Sequence, residues 1–343
     1  MKIAGILILI IGILGLGYFL IFKKPREITV LSWDNYIGKN TLGEFAKKTK
    51  INVKYGLIKS NEEALDKIKT DPEAYDVVVV SDYMVKIMKS EGLIQPLDRK
   101  FLTNLKNISE DFKGAYYDSG LEFSVPYTFG TAGFAVNKKY YKEGTISWKE
   151  LTKAKYKGKI IVMDNMRYVL GSVLLELGYD PNTTSKDEID KAVALFKKVL
   201  PNIQRLNPDT PTDLMIDEKA WVTYDYSNGV LQMQAQNKNI GYLVPSYGAL
   251  KFVDSMVLIK GSKKNEEALT YINYILEPEV SAGITNQIHY GNPNGAARSL
   301  INPEILSNPT VFNDSDTSKK LRFVEEVGDA LNLYNDAWEE IKL

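Results

Sequence analysis

Trp33-Asp34-Asn35-Tyr36 places two aromatic rings and two carbonyl-bearing side chains at the end of the apolar run Ile28-Thr29-Val30-Leu31. Ring faces attract cations and carboxylates pair with them, so this stretch has the chemistry to hold a positive charge. The same four residues also suit a plain strand end with Asp-Asn in a turn. Their meaning depends on what the rest of the chain brings beside them.

Other chemistry is sparsely provided. The single histidine, His289, stands beside Tyr290 and reads as a packed loop residue rather than a zinc ligand or the base of a triad. There is no cysteine, which excludes disulfides, thiolate metal sites, cysteine nucleophiles and a lipid-modified N-terminal cysteine. The glycines of Gly130-Thr131-Ala132-Gly133 and Gly291-Asn292-Pro293-Asn294-Gly295 lack both the phosphate-loop Lys-Ser/Thr and a dinucleotide spacing. No pair of carboxylates is singled out for hydrolysis. Binding without catalysis is the expectation, with no cofactor and no metal.

The elements that must position these residues follow an alternating pattern. Glu27–Trp33, Ile51–Tyr55 and Val77–Val80 read as strands, and Asn40–Thr49, a helix capped by Ser60 and running through Lys69, and a helix from Ser81-Asp82 to about Glu91 fall between and after them. This β-α-β-α-β order predicts a parallel α/β sheet. Such sheets bind ligands beyond the carboxyl ends of their strands, which places Trp33–Tyr36 and Ser81–Tyr83 at one cleft. A second set begins near Thr131. Gly133–Asn137, Ile160–Asp164, Trp221–Asp225 and Val253–Ile259 read as strands. Tyr168–Leu177, Lys186–Lys198, Ser227–Gln236 and Glu266–Leu276 read as helices. Pro201–Asp213 and Ser307–Ser318 are expected to be irregular.

The 343 residues suffice for about two domains, and 44% hydrophobic residues support a real core. Lys+Arg and Asp+Glu both number 43, which argues against a nucleic-acid partner. Tyrosine is abundant, with 21 residues, and suits sites needing an apolar face with a polar tip. Residues 3–22 carry no charge and match the thickness of a bilayer, so a retained N-terminal transmembrane helix is expected rather than a cleaved signal. Lys23, Lys24 and Arg26 after it, against Lys2 before it, lean weakly towards a cytoplasmic body.

From residue 27 onward the chain resembles the spermidine/putrescine-binding component of bacterial ABC polyamine importers, a periplasmic-binding-protein-like fold of type 2. The resemblance rests on Leu31-Ser32-Trp33-Asp34-Asn35-Tyr36-Ile37, Ser60-Asn61-Glu62, Tyr75-Asp76-Val77-Val78-Val79-Val80-Ser81-Asp82-Tyr83 and Glu91-Gly92-Leu93-Ile94-Gln95-Pro96-Leu97-Asp98. It continues through Ser124-Val125-Pro126-Tyr127, Glu176-Leu177-Gly178-Tyr179, Phe252-Val253-Asp254-Ser255 and Pro293-Asn294-Gly295-Ala296-Ala297-Arg298. It implies an α/β protein of two lobes that close on a hinge around an inter-lobe cleft, preceded here by the N-terminal helix. The implied division is 1–26 as anchor, 27–132 plus 255–300 as one lobe, and 133–254 plus 301–343 as the other. It also implies an extracytoplasmic body at the cell membrane, which outweighs the flanking charges. The implied partners are a small cationic amine and ABC permease subunits, with the protein a monomer.

Roles carry over by position. Trp33 and Tyr36 match aromatics that enclose a methylene chain, and Asn35 stands where the family has an acid. Ser81 and Tyr83 match a hydroxyl and a ring in the cleft. Phe252 and Tyr290 match pocket aromatics, and Asp254 matches the carboxylate that pairs with one terminal amine. Asn165 and Tyr168 occupy positions where the family supplies acids, and Val324 replaces a polar contact. Either Tyr226 or Asp225 takes a family aromatic position. Asp34, Asp82 and Asp225 are the candidate replacement acids, with Asp225 foremost. The implied function is capture of a polyamine for import. The alternatives are a receptor of the same fold for another cationic amine or a quaternary ammonium, and a tethered sensor or enzyme.

Overall fold

The computed structural model describes residues 26–207, 212–312 and 315–342. The apolar segment 3–22 lies outside the described residues. Among the described residues no helix is long and apolar enough to cross a membrane.

Strand β1 (Arg26–Ser32) leads through α1 (Thr41–Thr49) to β2 (Ile51–Leu57), and then through α2 (Asn61–Thr70) to β3 (Val77–Ser81) and α3 (Asp82–Ser90). Local signals set these boundaries. Lys50 ends α1 in the left-handed conformation. Ser60 caps α2 by accepting the Glu63 N–H at 3.0 Å, while Glu63 Oε2 reaches back to the Lys59 N–H at 2.7 Å. Val77–Val80 is buried throughout, as a strand covered on both faces requires.

The chain then enters β4 (Ser124–Asn137), followed by β5 (Ile160–Met163), α4 (Met166–Glu176), α5 (Lys186–Val199), β6 (Ile203–Asn207), α6 (Thr212–Ile216), β7 (Val222–Tyr226) and α7 (Ser227–Gln236). It returns through β8 (Ile240–Leu243), β9 (Ala249–Leu258), α8 (Asn265–Ile275) and α9 (Pro278–Ile288). The last part holds α10 (Pro303–Leu306), α11 (Ser315–Ser318), β10 (Leu321–Phe323) and α12 (Leu331–Lys342).

One mixed sheet joins these strands in the order β2-β1-β3-β9-β4-β7-β5-β6, with β10 on β9 and β8 on β4. The parallel arrangement expected from the alternating pattern holds for β1, β2 and β3. It does not extend across the sheet, because β9 runs antiparallel to both β3 and β4. The strand expected at Gly133–Asn137 is only the end of β4, which is 14 residues long. Pro126 lacks an N–H, and the β4–β9 register shifts between Pro126 and Thr128. The stretches expected to be irregular contain β6 and α11.

The two largest cores lie on either side of the central strands β9 and β4. Ile28, Val30, Val77 and Val79 pack with Val125, Met256, Leu269 and Ile272 on one side. Phe134, Trp148, Val162, Phe196, Val222, Tyr224 and Trp338 pack on the other. Both β4 and β9 contribute to each core, Val125 and Met256 to the first, Phe134 and Leu250 to the second. The molecule is therefore a two-lobed α/β protein whose lobes share two long crossing strands.

Candidate functional site

The carboxyl ends of β1, β3, β5 and β7 converge where β9 crosses the sheet. Register makes the centre of this region. Asp254 on β9 stands opposite Ser81 on β3 and Thr128 on β4. Ser81 Oγ donates to Asp254 Oδ1 at 2.7 Å. Tyr36 Oη donates to Asp254 Oδ2, and Thr128 Oγ1 donates to Tyr36 Oη at 3.1 Å.

Asp254 is 4% exposed. Burial pushes its carboxyl up to about 6, while the hydrogen bonds from Tyr36 and Ser81 hold it down. A carboxylate has roughly four lone-pair directions, and two hydroxyl donors leave about two for a ligand.

Aromatic rings build one continuous wall from Asp254 outward. Tyr36 meets Tyr290 edge-on at 4.7 Å between centroids, and Tyr290 meets Phe252 at 6.1 Å. Phe252 meets Tyr226 at 5.6 Å, and Tyr226 meets Tyr168 at 5.2 Å. These rings come from the β1 end, the loop after α9, β9, the β7 end and α4. Gly130 stands opposite Phe252 in the strand register, and a Cβ there would lie 2.5 Å from the Phe252 ring. Trp33 is half-buried, and its Nε1 has no hydrogen-bond partner among the described residues.

Asn165 caps α4 by accepting the Tyr168 N–H at 3.3 Å, and its Nδ2 donates to Tyr226 Oη at 3.0 Å. Asn165 and Tyr168 thus meet Tyr226 at the end of the wall remote from Tyr36. Tyr83 Oη accepts from Asn61 Nδ2 at 2.9 Å and donates to Glu62 Oε1 at 3.0 Å. Asn61 also holds Ser81, accepting its N–H at 3.0 Å and donating to its Oγ at 3.1 Å.

The three candidate replacement acids have different surroundings. Asp34 is exposed and accepts the N–H and Nδ2 of Asn35, itself exposed at a left-handed φ of 52°. Asp82 is buried and accepts the Tyr83 N–H at 2.7 Å, Tyr116 Oη at 3.2 Å and the Val253 N–H at 2.9 Å. Burial, with the Asp254 charge adding to it, pushes Asp82 up to about 7 against the Val253 hydrogen bond. Asp225 is buried, accepts the Tyr226 N–H at 2.7 Å, and by strand alternation takes the sheet face opposite Tyr224. Val324 is buried in the second core, and its carbonyl accepts Tyr116 Oη at 3.4 Å.

Sequence reasoning did not single out Asn61, Glu62, Thr128 or Tyr127 as site residues. Tyr127 Oη donates to the Tyr36 carbonyl oxygen, and the two rings lie 6.0 Å apart. Ser60-Asn61-Glu62 was the available signal, because a motif at the start of a helix in a parallel α/β unit faces the same sheet end. His289 caps α9 in a left-handed conformation at φ 62°, consistent with a loop role.

The arrangement can desolvate a cation against aromatic faces and pair it with one deeply held carboxylate. Among the described residues no cluster of acids and histidines has the makings of a metal site.

Known proteins share this architecture. The spermidine/putrescine-binding periplasmic protein of Escherichia coli is 32% identical over 313 residues, covering 91% of this chain and 90% of that protein. The corresponding protein 1 of Haemophilus influenzae is 30% identical over 318 residues, covering 92% and 88%. Among solved structures, a spermidine/putrescine ABC transporter protein from Listeria monocytogenes superposes with a TM-score of 0.87 at 31% identity, covering 93% of this chain and 99% of that one. Residues 41–313 match the family pattern described as bacterial extracellular solute-binding protein. With most of its length matched and its relatives covered nearly end to end, this chain belongs to the family of bacterial extracellular solute-binding proteins.

Proposed function

We propose that the protein captures a polyamine of the spermidine/putrescine kind and passes it to the membrane permease of an ABC importer. As a member of its family it is a solute-binding transport protein and not an enzyme. The observation that carries the polyamine reading is Asp254: a buried carboxylate in a shell of tyrosines, poised by two hydroxyl donors. A buried ammonium needs such a partner, because desolvating it costs several kcal/mol. The names of the relatives support the same ligand class.

In this reading Trp33, Tyr36, Phe252, Tyr226, Tyr168 and Tyr290 enclose the methylene chain, and Ser81, Tyr83 and Asn165 supply polar contacts. The lobes comprise 27–132 with 255–300 and 133–254 with 301–343; the cores around Val77 and Met256 and around Phe134 and Trp338 support this division, while Ile301, Ile305 and Val311 pack with Ala282 and Ala297. The uncharged segment 3–22 tethers a single copy to the outer face of the membrane. Titration calorimetry of the full chain with putrescine, spermidine and butylamine tests the ligand class. Saturable binding of a cationic amine is expected, and no measurable heat or competition from any of them would overturn it.

A further inference from the structure

Resting on the amine-binding reading, we infer that Glu62 is the second carboxylate of the site and pairs with the far ammonium of a dication. Glu62 and Asp254 terminate one line of hydrogen bonds. It runs from Glu62 Oε1 to Tyr83 Oη at 3.0 Å, to Asn61 Nδ2 at 2.9 Å, to Ser81 Oγ at 3.1 Å and to Asp254 Oδ1 at 2.7 Å. Four hydrogen bonds of about 3 Å each bring the two carboxylates within the reach of one extended polyamine.

Beside that line of hydrogen bonds, the Glu62 charge is also felt by two tyrosines of the site. Burial raises the Tyr226 hydroxyl most, and the charges of Asp225, Asp254 and Glu62 raise it further. Glu62 also raises Tyr83, second to burial. Its neighbour Glu63 is already engaged, pairing with Lys67 at 3.3 Å and accepting the Lys59 N–H. Glu62 is exposed and makes no ion pair among the described residues, and only its Oε1 is engaged by Tyr83, so Oε2 is open to a ligand.

The Asn165–Tyr226 pair, whose phenol the Glu62 charge reaches, offers dipoles without charge. A far ammonium there is held between a carboxylate on the β1–β3 half and an amide–phenol pair on the β5–β7 half. Asp34 already accepts from Asn35 with both carboxylate oxygens, and the Asp82 oxygens are taken by Val253, Tyr83 and Tyr116.

Calorimetry with putrescine and butylamine separates the charges. The full wild-type chain, Glu62→Gln and Asp225→Asn are compared. Wild type is expected to prefer putrescine, and Glu62→Gln to weaken putrescine about tenfold more than butylamine. Glu62→Asp keeps the charge and restores part of the loss. An unchanged putrescine preference in Glu62→Gln overturns the inference, as does loss of that preference in Asp225→Asn alone. Wild type that binds both amines equally overturns it too. Wild type that binds neither overturns the amine-binding reading itself.

Discussion

Tyr36 and Asp254 stand 218 residues apart in the chain, yet the tyrosine hydroxyl donates directly to the carboxylate at the centre of the sheet. The bond ties the loop after β1 to the crossing strand β9. It also holds the Asp254 charge in place, since the Tyr36 donor pulls its pKa down against burial. Tyr36→Phe removes that donor and leaves only Ser81. Asp254 then titrates higher than in the wild type, so the midpoint of the pH dependence of amine affinity moves up. Titrations across pH 5 to 8 read this shift directly, and an unmoved midpoint would separate Tyr36 from the charge of the site.

The wild-type pH dependence follows from the same group. Burial pushes the Asp254 carboxyl up to about 6 in the folded protein, well above the ordinary aspartate range. Below that value the site is protonated, and binding a cation must expel the proton. Amine affinity is expected to fall by up to about tenfold per pH unit below 6 and to level off above it. Asp254→Asn should lose at least about a hundredfold in affinity and flatten the profile. Proton release, measured in buffers of different ionisation enthalpy, checks the mechanism independently.

Stability without ligand runs the other way. Burial first, then for Asp82 the neighbouring Asp254 charge, raises both acids above their unfolded values. Their folded forms hold protons that the unfolded chain has released. The stability they contribute is complete below pH 4 and is lost as pH rises through about 6 for Asp254 and about 7 for Asp82. Chemical unfolding of the ligand-free protein should therefore give a lower free energy at pH 8 than at pH 5. Saturating amine is expected to narrow the difference, because ligand bound only to the folded state stabilises it.

Much of this site was legible locally, and some was not. The end of β1, the Ser60 cap and the buried run Val77–Val80 each carry a short-range signal that survives in the fold. Asp254 and the aromatic positions came from family likeness, because no spacing in the chain announces a contact between residues 36 and 254. Asp34 illustrates the limit. Its acid is obvious in the sequence, but its two hydrogen bonds to the left-handed Asn35 beside it are not. Glu62 illustrates the converse, since an acid in the first turn of a helix reads as a favourable dipole partner before it reads as a site residue. The length of β4 was hidden by Pro126, Gly130 and Gly133, which interrupt its apolar pattern.

Gly130 gives a packing test of the aromatic wall. A Cβ there would lie 2.5 Å from Phe252 Cζ and 3.0 Å from Ser227 Oγ. Gly130→Ala forces the Phe252 ring to move against Tyr226, Tyr168 and Tyr290. The expected stability cost is about 1–3 kcal/mol. Affinity should fall for putrescine and butylamine alike, because the displaced ring is common to both. A variant that folds with wild-type affinity for both would show that Phe252 does not touch the ligand.

Asn165 offers a gain of function. As the N-cap of α4 it accepts the Tyr168 N–H, a role aspartate fills equally well. Its Nδ2 donates to Tyr226 Oη, and a carboxylate there would instead accept from the same hydroxyl, which can turn to donate. Asn165→Asp is therefore expected to change ligand-free stability by less than about 1 kcal/mol at neutral pH. It adds a negative charge where the far ammonium of a dication would sit. Putrescine affinity should rise by about fivefold, well within the reach of a partly desolvated charge pair. Butylamine, whose single ammonium is held by Asp254, should gain little. Calorimetry with both amines decides the point: an equal gain for both would mean that the new charge acts as a general field, and no gain would place the far ammonium elsewhere in the cleft.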